Sequence, residues 1–219
     1  MADELAELRR EVCALHAELP RNGLVAWTSG NLSARVPGEE LMVIKASGVP
    51  YPELTPDAIV VCDLHGGLVE GDLAPSSDAA AHGYVYRHLD HVGGVAHTHS
   101  SYATAWAARG EPIPCVLTAM ADEFGGEIPI APFALIGDEE IGRIVVAALT
   151  DHRSPAVLLR SHGVFTLGPD PRDAIKAAVM CEDAARTVHL ARVLGDPIPL
   201  AREDIDALYD RYQNVYGQR

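Results

Sequence analysis

Residues 93–106 read GGVAHTHSSYATAW, a small apolar run that ends in two histidines one residue apart and then gives way to a helix-forming stretch. Side chains along a strand alternate between faces, so residues two apart point the same way. With Gly94, Val95 and Ala96 read as a strand, the imidazoles of His97 and His99 leave one face of a sheet together, as two ligands of one metal ion must. Two core histidines, each satisfied by a backbone group, are the competing reading. A third ligand would separate the two.

Outward from this strand, short β-like runs follow one another with helical stretches interspersed and no regular β-α-β alternation. LSARV (32–36), a Pro37-Gly38 turn, LMVIKAS (41–47), AIVVCDL (58–64), a His65-Gly66-Gly67 turn and LVEG predict a succession of hairpins. AVLLR (156–160) and VFTLG (164–168), joined by Ser161-His162-Gly163, predict another. Leu5, Leu8, Val12, Leu15 and Leu19 repeat every three or four residues, predicting a helix over 3–19 that Pro20 and Gly23 close. Ser76, Ser77 and Asp78 predict a capped N-terminus for a helix over AAAHGYVYRHL. Further helices are expected over Ser101 to Arg109, 138–149, Pro171 to Leu194 and the tail up to Gly217. Strands joined by short turns, with helices interspersed, predict a layered α+β fold with antiparallel pairing. No G-x-G-x-x-G follows the first strand, which argues against a dinucleotide-binding fold. Without a repeat, a low-complexity tract or a Gly/Ser linker, one domain over 1–219 is the simplest organisation.

The chain carries 17 Lys and Arg against 31 Asp and Glu, a formal net charge of -14. That balance argues against a nucleic-acid partner. It leaves room for an anionic small molecule, because a metal ion and one lysine create a local positive site. Four cysteines, Cys13, Cys62, Cys115 and Cys181, form no C-x-x-C pair, as expected of reduced thiols in a cytoplasmic protein. The N-terminal stretch has acids and arginines where a signal peptide needs an apolar segment, and no membrane span is expected.

His162, in the turn after AVLLR, is the candidate third ligand, and Asp78 the fourth. Together they would give zinc or a similar divalent ion three nitrogens and an oxygen. Gly163 also fits a plain tight turn, and acids are favoured at helix N-termini by the dipole alone. His82, four residues after Asp78, is an alternative ligand better read as packing. His16, His65, His88, His91, His152 and His189 are assigned to structure or surface. Ser29-Gly30-Asn31, Lys45-Ala46-Ser47-Gly48 and Ser76-Ser77 place donors and small residues in turns beside strands or at a helix N-terminus. Such turns receive an oxyanion through free N–H groups, hydroxyls and, here, one lysine. As a set they fit a phosphate ester.

These motifs in this order, with His97-Thr98-His99-Ser100 and Ser161-His162-Gly163, resemble the class II aldolase and L-ribulose-5-phosphate 4-epimerase superfamily from about residue 5 to the C-terminus. The resemblance implies a three-layer α/β/α fold with a central, mainly antiparallel sheet, and a cyclic homotetramer with sites at subunit interfaces. It implies Zn²⁺, or another divalent ion such as Mn²⁺ or Co²⁺, on His97, His99 and His162 with Asp78 as the acidic ligand. Ser29, Gly30, Asn31, Lys45, Ser47, Gly48, Ser76 and Ser77 match the turns that hold the phosphate of a small ketose and its neighbouring oxygens.

Three features resemble the epimerases more than the aldolases. Residue 78 is Asp where the aldolases carry Glu. Ala121-Asp122, with Thr118 nearby, matches the epimerase acid/base segment, and Tyr216-Gly217-Gln218 matches its ending. Asp122 and Tyr216 are then the expected acid/base pair, with Asp78 also in the catalytic set. The chain departs from that pattern with Ala46 in place of Pro, Met120 in place of His, and shorter segments at 133–144 and before Tyr216. The implied reaction interconverts L-ribulose 5-phosphate and D-xylulose 5-phosphate by breaking and re-forming C3–C4. An L-fuculose-1-phosphate aldolase-like enzyme, releasing an aldehyde and dihydroxyacetone phosphate, is the alternative. A zinc hydrolase ranks below both, because Ser101 and Tyr102 stand where H-x-H-x-D-H would supply its Asp and His.

Overall fold

A computed structural model describes residues 2–215. Its strands are β1 (Asn31–Arg35), β2 (Leu41–Lys45), β3 (Ile59–Asp63), β4 (Leu68–Glu70), β5 (Gly94–Thr98), β6 (Ile130–Ala131), β7 (Ala156–Leu159) and β8 (Gly163–Gly168). They form one eight-stranded sheet in the order β4-β3-β2-β1-β5-β8-β7-β6. Every neighbouring pair is antiparallel except β6–β7. The first four strands run as the expected meander. The chain then crosses so that β5 lies between β1 and β8.

The helices are α1 (Ala2–His16), α2 (Glu18–Arg21), α3 (Ala79–His88), α4 (Ser101–Arg109), α5 (Thr118–Phe124), α6 (Glu140–Leu149), α7 (Pro171–Leu194) and α8 (Arg202–Val215). They flank the sheet on both faces because the strands alternate two apolar sets. On one face Ile44, Val60, Val95 and Phe165 pack against Val85 and Tyr86 of α3 and Ile144 and Val145 of α6. On the other, Val43, Val61 and Ala96 meet Val12 of α1 and Ala174 and Ala178 of α7. Further along that layer Ala156, Leu158 and Val164 meet α4, α5 and α7.

α1 is also fixed by a polar contact. His16 is fully buried; its Nδ1 lies 2.7 Å from the Val12 carbonyl oxygen and its Nε2 accepts from the Leu32 amide at 3.1 Å. Burial holds its pKa down at about 4, so the ring is neutral and bridges helix to strand.

Three local expectations change. The helix expected over 3–19 breaks at Ala17 into α1 and α2. α5 and β6 arise where no periodicity marked them. Asp78 stands at the N-cap of α3 but makes no side-chain cap bond. Its carboxylate is engaged elsewhere.

Candidate metal centre and anion cavity

The sheet register assembles the centre. His97 on β5 lies opposite Asn31 on β1 and opposite Phe165 on β8, so the three form a row on the α3 face. His97 Nδ1 donates to the Val164 carbonyl at 2.9 Å, which fixes the tautomer and leaves the Nε2 lone pair for the cluster. That Nε2 is 2.8 Å from Nε2 of His99. His162 completes the group: one ligand atom from each histidine lies within 4.8 Å of the others. Burial holds the pKa of His97 at about 4 and lowers those of His99 and His162 as well. Three neutral imidazoles converging in this way are a donor set suited to a divalent cation.

Two neighbouring features hold the cluster in shape. At the His162 turn it is Ser161, with φ of 61°, that adopts the left-handed backbone. Gly163 is small for another reason, since its Cβ position is filled by the Thr98 carbonyl and the His99 and His97 rings. Beyond His99, α4 starts at Ser101, and its N-cap Ser100 makes no side-chain cap bond. The free amides of Tyr102 and Ala103 instead donate to the two carboxylate oxygens of Glu182 on α7, at 2.9 Å each. A carboxylate there satisfies orphan donors and the helix dipole together.

Asp78 is buried beside this cluster, outside the 4.8 Å group. Asn31 Nδ2 donates to its Oδ2 at 2.7 Å and to Ser76 Oγ at 3.0 Å. Burial alone would raise the Asp78 carboxyl. His97, with help from His82, Asn31 and His162, outweighs burial and holds it below its ordinary value. His82, read as packing, is fully buried, its Nδ1 2.7 Å from Ser33 Oγ and its ring edge-on to Phe165.

The histidines, Asp78 and the three anion turns line one cavity of about 270 Å³. Ser29, Gly30, Asn31, Lys45, Ser47, Gly48, Ser76, Ser77, Asp78, His97, His99 and His162 all face it, joined by Thr28, Ala46 and Ile136. Gly30, with φ of 74°, leaves no space for a side chain against Val25 and the His97 carbonyl. Backbone bonds join two of the turns, Ser76 N to Lys45 O at 3.1 Å and Ser47 N to Ala74 O at 2.9 Å. Lys45 is buried, with Nζ 3.2 Å from the Ala46 carbonyl, and burial lowers its pKa.

Thr118 and Asp122 lie elsewhere in this chain. Thr118 is the exposed first residue of α5. Asp122, on the same helix, has Oδ2 3.9 Å from Arg211 of α8, while its Oδ1 is buried without a hydrogen-bond partner among the described residues. Neither lines the histidine cavity. Tyr216, Gly217 and Gln218 lie outside the described residues. Tyr51, whose hydroxyl donates to the Ser29 carbonyl, and Glu182 have no sequence motif that marks them, because each acts on backbone groups far along the chain. A donor or carboxylate without a local partner is the only signal either one carried.

Residues 10–189 match the class II aldolase and adducin N-terminal domain family, and the chain belongs to it. An L-fuculose 1-phosphate aldolase is 28% identical with a TM-score of 0.88, covering 94% of this chain and 96% of its own. The L-fuculose-1-phosphate aldolase from Thermus thermophilus is 25% identical with a TM-score of 0.73, covering 88% and 97%. An aldolase II superfamily protein from Pseudomonas syringae shares the fold at 22% identity and a TM-score of 0.83, covering 97% and 86%. Among the described residues no helix is long and apolar enough to cross a membrane.

Proposed function

We propose that this chain is a metal-dependent enzyme that breaks the C–C bond beta to the carbonyl of a small ketose phosphate, and that it re-forms the bond as an L-ribulose-5-phosphate 4-epimerase. One observation carries the reading: the three-histidine cluster and the three anion turns open into the same cavity. A divalent ion, with Zn²⁺ the first choice for such ligands, supplies Lewis-acid chemistry there, lowering the cost of negative charge on the ketone oxygen.

The chain's own groups do the rest. Lys45, the hydroxyls of Ser47, Ser76 and Ser77, and the Ser29-Gly30 turn bind the phosphate and so fix the sugar's distance from the histidines. Asp78, its carboxyl held low first by His97 and also by its Asn31 hydrogen bond, stands beside them as a ligand or as an acceptor for a hydroxyl proton. Epimerisation needs one group to take the C4 hydroxyl proton as C3–C4 breaks and another to return a proton on the opposite face of the aldehyde as the bond re-forms. Asp122 and Tyr216 fill those roles, flanking the aldehyde from different chains of a homotetramer. The favoured occupant is a phosphorylated pentulose.

A second reading is an aldolase that releases the aldehyde. The L-fuculose 1-phosphate aldolase at 28% identity favours it. Zinc-loaded protein incubated with L-ribulose 5-phosphate separates the two when D-xylulose 5-phosphate and free glycolaldehyde are followed together. Xylulose phosphate without free aldehyde, lost in Asp122→Asn, supports the epimerase. Inertness toward that pentose with cleavage of a ketose 1-phosphate supports the aldolase.

A further inference from the structure

Tyr51 does not line the cavity, yet it touches two of the three anion turns. It opens a short turn, Tyr51–Glu53, just beyond Gly48. Its hydroxyl donates to the Ser29 carbonyl at 2.9 Å and shares that proton with the Gly30 carbonyl at 3.1 Å. Its ring lies under the Lys45 ammonium, with Nζ 5.5 Å from the centroid. Burial raises the phenol, so it stays a donor across the working pH range.

Both contacts bear on how an anion is received. In a trans peptide the C=O and the following N–H point in opposite directions, and the described chain has no cis bond. Tying back the Ser29 carbonyl therefore turns the Gly30 N–H away from the phenol, and Gly30 faces the cavity. The Lys45 ammonium has three N–H groups and, among the described residues, one acceptor, Ala46 O. The tyrosine face stabilises that buried charge without consuming a donor. Asn31 joins the first turn to the third, and backbone bonds join the second to the third. Tyr51 supplies the link between the first and the second and closes the ring of contacts.

We propose that Tyr51 is a positioning residue for the anion subsite, holding the Ser29-Gly30 peptide and the Lys45 ammonium in the arrangement that receives a phosphate group. The inference rests on the ketose-phosphate reading of the cavity, and its test keeps the two apart. Inorganic phosphate is titrated into zinc-loaded wild type, Tyr51→Phe and Tyr51→Leu by calorimetry, with zinc affinity and thermal midpoint measured in parallel.

Tyr51→Phe removes one oxygen and keeps the ring over Lys45. Its phosphate Kd is expected to rise about tenfold, the worth of one good hydrogen bond, with zinc affinity unchanged. Tyr51→Leu loses the ring as well and is expected to bind phosphate more weakly again. In turnover, KM for the phosphorylated substrate rises more than kcat falls. Wild-type phosphate affinity in Tyr51→Phe overturns the inference, as does a parallel loss of phosphate affinity, zinc affinity and thermal midpoint, which marks a purely structural residue. Wild-type protein that binds no phosphate overturns the ketose-phosphate reading itself.

Discussion

Gly163 and Thr98 pack so closely that a Cβ at residue 163 would stand 2.4 Å from the Thr98 carbonyl oxygen, with His99 Cδ2 at 3.0 Å and His97 Cε1 at 3.3 Å. Backbone and two ligand rings cannot all yield. Gly163→Ala should therefore loosen the histidine cluster and lower zinc affinity by more than about tenfold, measured by competition with a chromophoric chelator. Gly38 offers the control: its φ is 76° and its Cβ site is open, so Gly38→Ala should cost about 1 kcal/mol of stability and leave zinc affinity alone.

Zinc should stabilise the folded chain through the same cluster. At about 100 times its Kd the ion adds roughly 2.7 kcal/mol to unfolding, read as a rise in thermal midpoint that a chelator reverses. His162→Ala should abolish most of that rise while changing the metal-free midpoint little, because His162 is half-buried at a turn. A rise that survives His162→Ala would place the ion elsewhere.

His16 should make the metal-free protein acid-sensitive. Its folded pKa of about 4 lies below the model-peptide 6.5, so below pH 6.5 the unfolded chain binds the proton first. Stability is then present above pH 6.5 and falls as pH drops toward 4, by at most roughly 3 kcal/mol for this ring. Guanidinium unfolding in the presence of a chelator, at several pH values, should show a shallower acid slope in His16→Gln, with lower stability at pH 7 from the disturbed α1–β1 bridge.

Glu182 should matter to a metal ligand it never touches. Glu182→Ala leaves the amides of Tyr102 and Ala103 without their acceptors and should cost about 1–2 kcal/mol, with weaker zinc binding because α4 begins two residues after His99. Glu182→Gln keeps one acceptor oxygen and should lose less on both counts.

Strands and turns were legible wherever one physical pattern dominated. β5, β7 and β8 are apolar runs stopped by turn residues, and the meander is punctuated by Pro37-Gly38 and Gly66-Gly67. α5 has seven residues and no clear period, and β6 has two residues held by parallel pairing with β7; neither carries a local signal. The twelve motif residues lining the cavity were legible because their chemistry demands short local arrangements. Asp78 shows the limit. Its position before α3 predicts a cap, and only the register that sets Asn31 beside His97 reveals where its carboxylate goes. Tyr51 and Glu182 were silent for the same reason, each bonding backbone 22 and 80 positions away.

The placement of β5 between β1 and β8 has a kinetic consequence. Its partners lie about 60 residues or more away on either side, so its pairing closes long loops and is expected late in folding. Until then His97 and His99 are the only two of the three cluster histidines that lie close together, with His162 more than 60 residues further along the chain. Metal capture therefore follows folding and cannot template it, in contrast to small domains whose ion nucleates the structure. Stopped-flow refolding should give the same rate with zinc as with a chelator, the ion arriving afterwards as a seal on a finished sheet.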